Sequence, residues 1–137
     1  MIVVDTNVIA YLLIRTPHSA DADRVRAQDS DWAAPFLWRS EFRNVLARYL
    51  AAGLMDLRTA LEYYRDAERL MQGRESHADT AAVLTLAAQT GCSAYDCEFV
   101  ALAQELGVLL VTSDRKLAAK FKPTAIPLQE YVRSARP

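Results

Sequence analysis

Two short apolar runs, Ile2-Val3-Val4 and Val108 to Thr112, each stop within two residues at an aspartate. Asp5 follows the first run directly, and Asp114 follows the second after one serine. Neither run alternates apolar with polar residues, so each predicts a strand covered on both faces, as in a parallel sheet. Short strands of this kind, alternating with helices, predict an α/β domain. In such sheets ligands bind beyond the carboxyl ends of the strands. Asp5 and Asp114 occupy that address, although an Asp at a strand-to-helix junction is equally an ordinary N-cap.

The rest of the chain fits this frame. Helical patterns run over 8–13, 18–28, 38–51, 57–71, 79–88, 93–106 and 116–121. Gly53, Gly73, Gly91 and Gly107 supply stop signals. Trp32-Ala33-Ala34 reads as a weak strand and Ala125-Ile126-Pro127 as an edge strand. No repeat, linker or low-complexity segment interrupts the pattern, so residues 1–137 are expected to form a single domain. With 52% hydrophobic and 24% charged residues, the chain has the balance of a globular protein with a real core.

Several classes are excluded. The two cysteines, Cys92 and Cys97, form no CxxC pair and lie far in sequence from His18 and His77, which argues against zinc. The N-terminus has no basic segment ahead of a long apolar one, and no window approaches the roughly 20 apolar residues of a membrane span. A soluble, cytoplasmic protein is expected. Sixteen Lys and Arg against 17 Asp and Glu, a formal charge of −1, exclude a protein that holds nucleic acid by bulk positive charge.

Two more acids stand out. At about 100° per residue, Glu41 lies at the edge of the stripe made by Phe42, Val45, Leu46 and Tyr49. Asp96 falls between Phe99 and Val100 in angle, on the core-facing side of its helix, and also completes a capping box with Ser93. Glu98, about 200° from Asp96, is expected to face solvent. Convergence of Asp5, Glu41, Asp96 and Asp114 would raise their pKa values unless a cation compensated them. All-oxygen carboxylate sites suit Mg²⁺ or Mn²⁺, ions that serve phosphoryl chemistry.

Four segments in this order resemble the PIN-domain family, and most closely its VapC-type ribonuclease toxins of toxin–antitoxin modules. They are Ile2 to Ile9 (IVVDTNVI), Arg39 to Leu46 (RSEFRNVL), Ser93 to Ala103 (SAYDCEFVALA) and Leu110 to Leu117 (LVTSDRKL). The resemblance implies a three-layer fold with a central parallel sheet flanked by helices. It implies that Asp5, Glu41, Asp96 and Asp114 form the metal-binding, catalytic cluster holding one or two Mg²⁺ or Mn²⁺ ions. Thr6, Asn7, Thr112 and Ser113 match neighbours that orient the acids or the metal water, a role that turn capping explains equally well. It further implies an RNA substrate, a homodimer and a cognate antitoxin, for which the apolar helices 9–13 and 57–71 could offer a groove.

The chemistry that follows is hydrolysis of RNA phosphodiesters to a 5′-phosphate and a 3′-hydroxyl, since no His pair is present for a metal-free acid–base route. Arg39, Arg43, Arg115 and Lys116 flank the acids in sequence and could steer RNA, or simply solvate their helices. Competing readings are a solitary RNA-processing nuclease, a PIN-like scaffold that binds RNA or protein without cutting, and a phospho-receiver domain. The last needs an acidic pair at the first strand, and Asp5 has no acidic neighbour. Setting the four acids aside turns the formal charge from −1 to +3, so a near-neutral total is compatible with RNA.

Overall fold

The computed structural model describes residues 1–134; the last three residues of the expected 1–137 domain lie outside them. Strand β1 (Ile2–Val4) is buried at every residue, as are β2 (Trp32–Pro35) and β4 (Leu110–Thr112). Consecutive strand residues point to opposite faces, so a run buried throughout requires cover on both sides. The helices provide it, giving three layers. The sheet has five parallel strands in the order β3-β2-β1-β4-β5, with β3 (Glu75–Ser76) and β5 (Ala125–Pro127) at its edges.

The helices are α1 (Thr6–Leu13), α2 (Ser19–Gln28), α3 (Trp38–Ala51), α4 (Leu57–Met71), α5 (Thr80–Thr90), α6 (Ala94–Leu106), α7 (Arg115–Lys120) and α8 (Leu128–Ser134). Helix α6 packs on β1, β2 and β4 through Phe99, Val100, Leu102 and Ala103, all buried. Trp32, Trp38, Phe42 and Ile9 are the largest side chains fully enclosed in the core. No helix among the described residues is long and apolar enough to cross a membrane.

One expectation needs correction. The strand read over 108–112 begins only at Leu110. Gly107 closes α6 with a positive φ of 67°, and the Val108 N–H donates back to the Ala103 carbonyl, so these residues belong to the helix cap. The elements β3 and α8 had no expected counterpart. The sheet's central feature is β1 with its chain neighbours on one side and β4 on the other. Their carboxyl ends define a switch point, where an α/β sheet opens a crevice.

Candidate active site

The crevice is a cavity of about 480 Å³, and all four sequence-predicted acids line it. Each arrives on a different element. Asp5 ends β1 and caps α1, its Oδ1 accepting the Val8 N–H at 3.0 Å. Asp114 follows β4 and caps α7, its Oδ1 accepting the Leu117 N–H at 3.0 Å. Glu41 comes from the first turn of α3 and Asp96 from the first turn of α6, where Ser93 Oγ accepts the Asp96 N–H at 3.1 Å. The capping role and the convergence therefore hold together.

The four hydroxyl and amide neighbours fasten this arrangement. Asp5 Oδ2 accepts from the Thr112 hydroxyl at 2.6 Å, the Ser113 N–H at 2.9 Å and the Ser113 hydroxyl at 3.3 Å. The Asp114 N–H donates to Thr112 Oγ1 at 3.0 Å, so one buried hydroxyl ties together the ends of β1 and β4. The Thr6 hydroxyl donates to Glu41 Oε1 at 2.7 Å, and Asn7 Nδ2 donates to Ser113 Oγ at 3.2 Å.

Electrostatically the cavity is short of positive charge. Burial pushes the Asp5 carboxyl above its ordinary pKa, against the pull of its Thr112, Ser113 and Val8 hydrogen bonds. Glu41 is raised by burial and then by the charges of Asp96, Asp5 and Glu98, with the Thr6 bond opposing. Asp96 is raised by burial and by Asp114. Glu98, expected to face solvent, is in fact half-buried, and its charge reaches Glu41.

No His or Cys lines the cavity, so every available donor is a hard oxygen or an amide. Such a set fits Mg²⁺ or Mn²⁺ and not zinc. Among the described residues no three His, Cys, Asp or Glu side chains stand in a ligating array. The fit therefore rests on donor chemistry and on the mutual repulsion of the acids.

The basic residues expected to steer RNA are placed elsewhere. Arg39 is spent on the far side of α3: its Nε and Nη2 donate to Glu75 at 2.6 and 2.8 Å, and its Nη1 to Glu68 at 2.9 Å. Arg43 lies over the Tyr64 ring, 5.5 Å from its centroid. Arg115 and Lys116 are exposed at the start of α7 without lining the cavity. The cavity's own cation is Arg48, with Asn44 and Ser40 one and two turns before it, and Tyr95 stands at the mouth. The spacing of Ser40, Asn44 and Arg48 at i, i+4 and i+8 beside Glu41 was the signal that could have found them.

A parallel sheet with an acid-lined crevice at its switch point defines the class, and the sequence comparison agrees with it. The PIN domain family model matches residues 2–122, and the chain belongs to that family. It is 29% identical over 129 residues to Ribonuclease VapC3 of Pyrobaculum aerophilum, covering 92% of this chain and 98% of that one. The fold is similar to that of PAE2754 from Pyrobaculum aerophilum, with a TM-score of 0.76 at 24% identity over 98% of this chain and 95% of that one. It is also similar to FitAcB from Neisseria gonorrhoeae, with a TM-score of 0.67 at 21% identity over 94% and 99% of the two chains.

Proposed function

We propose that this chain is a divalent-metal-dependent endoribonuclease acting as the toxin of a toxin–antitoxin pair. The observation that carries the reading is the convergence of four carboxylates from four elements in one cavity, with three of them pushed above their ordinary pKa. Selection of such a costly arrangement is understandable if a cation compensates it. Support also comes from the similarity to a protein named as a ribonuclease.

Glu41, Asp96 and Asp114 keep carboxylate oxygens free of protein hydrogen bonds, and with Asp5 they would hold one or two Mg²⁺ or Mn²⁺ ions. The metal supplies Lewis acidity toward the phosphate and lowers the pKa of water. The protein's part is positional. Thr112 and Ser113 fix Asp5, Thr6 fixes Glu41, and the two caps fix the strand ends. A carboxylate of the cluster would take the proton from the water that attacks phosphorus. The P–O3′ bond would then break, the leaving 3′-oxygen taking a proton from solvent, to give a 5′-phosphate and a 3′-hydroxyl.

Residues 1–137 would act as one nuclease unit in the cytoplasm, as a homodimer, restrained by an antitoxin. Leu57 and Leu61 on α4 stand exposed on a helix that also packs on α1, a surface suited to such a partner. The deciding test incubates purified protein with structured RNA in Mn²⁺ and then with chelator. Cleavage is expected in Mn²⁺, to be lost with chelator and in Asp96→Asn. Cleavage surviving both would falsify the metal-site assignment, and an adjacent small reading frame for a DNA-binding protein would support the toxin role.

A further inference from the structure

The mouth of the cavity carries two features that the acids do not explain. Tyr95, immediately before Asp96, leaves 64% of its surface in solvent. A large ring held this open at the start of a helix gains little from the core. On the other wall, α3 presents Leu37, Ser40, Glu41, Asn44, Val45 and Arg48 to the cavity. That spacing is one helical face, with Arg48 about two turns beyond Glu41.

Arg48 is the one basic side chain lining this cavity among the described residues, and its only hydrogen bond among them is through its backbone. Three carboxylates line the same cavity from other elements and Glu41 shares its helix, yet none is paired with it. It also lines a second cavity of about 190 Å³ between α1 and α3, together with Asn7, Tyr11, Val45 and Tyr49. Asn7, Val45 and Arg48 are shared by both cavities, which therefore adjoin along α3. An open ring and an unpaired guanidinium thus share one cavity with the acids.

From this placement we propose that Tyr95 and Arg48 are substrate-binding residues for single-stranded RNA, Tyr95 stacking on one base and Arg48 contacting a phosphate along α3 toward the second cavity. The proposal rests on the nuclease reading above and names the residues that would hold its substrate. Aromatic faces hold unpaired bases in a sequence-tolerant way, whereas bases in a duplex are already stacked on one another. A guanidinium presents a fork of donors matched to phosphate oxygens. One cation, in place of a basic track, also agrees with the formal charge of −1. The strand is gripped at two points and not by a positive surface.

The test uses the full chain and a ten-nucleotide mixed-sequence RNA with chelator present, so that the strand stays uncut. Both native tryptophans, Trp32 and Trp38, are fully buried, so Tyr95→Trp adds a solvent-exposed fluorophore at the mouth. Its emission is expected to be quenched saturably by the single strand and much less by the same sequence as a duplex. By anisotropy of labelled RNA, Tyr95→Ala and Arg48→Ala should each weaken binding about ten-fold. Tyr95→Phe should retain it and Arg48→Lys should recover part. Equal affinity in Tyr95→Ala and the native chain, or equal quenching by duplex and single strand, overturns the proposal. These readouts need no turnover. RNA bound in this manner by a protein that cuts none therefore supports the substrate-binding assignment while overturning the nuclease reading.

Discussion

Helix α3 carries two ionic arrangements on its two sides, and they are opposites. On one side Glu75 is enclosed, with 7% of its side chain exposed, and every oxygen is used. Oε2 accepts from Arg39 Nε at 2.6 Å and from Trp38 Nε1 at 2.7 Å, and Oε1 from Arg39 Nη2 at 2.8 Å. The Arg39 bonds hold the Glu75 carboxyl below its ordinary pKa. On the other side Glu41 receives only the Thr6 hydroxyl, and burial with three like charges pushes it up. The first arrangement is complete within the chain and ties α3, α4 and β3 together. The second is left uncompensated among the described residues. Compensated charge marks scaffold here, and uncompensated charge marks the site.

The largest effect that should separate the two regions is catalytic. Asp96→Asn removes one negative charge from the cavity and should lower RNA cleavage on the order of 10²–10³-fold. The same change should leave the melting temperature unchanged or raise it, because it relieves repulsion with Asp114 and Glu41. Turnover and thermal melts on one preparation test both halves. A variant that both cuts RNA normally and melts lower would place Asp96 with the scaffold.

Glu75→Gln is the mirror experiment. It leaves Arg39 with Glu68 as its remaining carboxylate, and breaking a buried pair costs about 3–5 kcal/mol. Arg39 keeps 32% of its side chain in water, so about 2–3 kcal/mol is expected. Urea unfolding should show this loss, while the folded fraction should cut RNA within a few-fold of the native rate. A cleavage defect as deep as that of Asp96→Asn would erase the distinction drawn between the two sides of α3.

The same contrast explains what could be read from the chain. The acids were legible because strand ends and helix caps are local: Asp5 and Asp114 follow buried runs, and Asp96 sits in a capping box with Ser93. Arg39 was misjudged because its partner, Glu75, lies 36 residues on. That partner sits on β3, a two-residue strand of a glutamate and a serine with no hydrophobic period to detect. Helix α8 escaped for a similar reason, being only seven residues after Pro127. Arg48 and Tyr95 were missed because an exposed polar or aromatic residue on a helix looks like any solvated one until the opposite wall of the cavity is known.

Stability should respond to pH in opposite senses in the two regions. Asp5, Glu41 and Asp96 have folded-state pKa values above their unfolded ones. Between those values the folded state binds more protons than the unfolded state, so stability falls as pH rises through that window. Glu75 is lowered, so its contribution is present above the ordinary glutamate pKa and is lost as pH falls through the depressed value. Melting temperature against pH in a metal-free buffer should show the first decline flattened in Glu41→Gln and unchanged in Glu75→Gln. Added Mg²⁺ should also flatten it, since cation and proton then compete for the same oxygens. A decline identical in native protein and Glu41→Gln would mean that the cavity acids are not its source.

The smallest effect tests how Glu41 is held. Thr6 is buried, and its hydroxyl makes the one hydrogen bond to the Glu41 carboxylate among the described residues, at 2.7 Å. Thr6→Val keeps the shape and removes that donor, at a cost of about 1 kcal/mol. Losing a donor that stabilises the charged form should raise the Glu41 pKa further. The acidic limb of the cleavage rate should therefore move to higher pH in Thr6→Val and stay in place in Thr6→Ser. A loss of stability with no movement of that limb would make Thr6 a packing residue alone, and Glu41 would then keep its protonation state through its acidic neighbours and its burial.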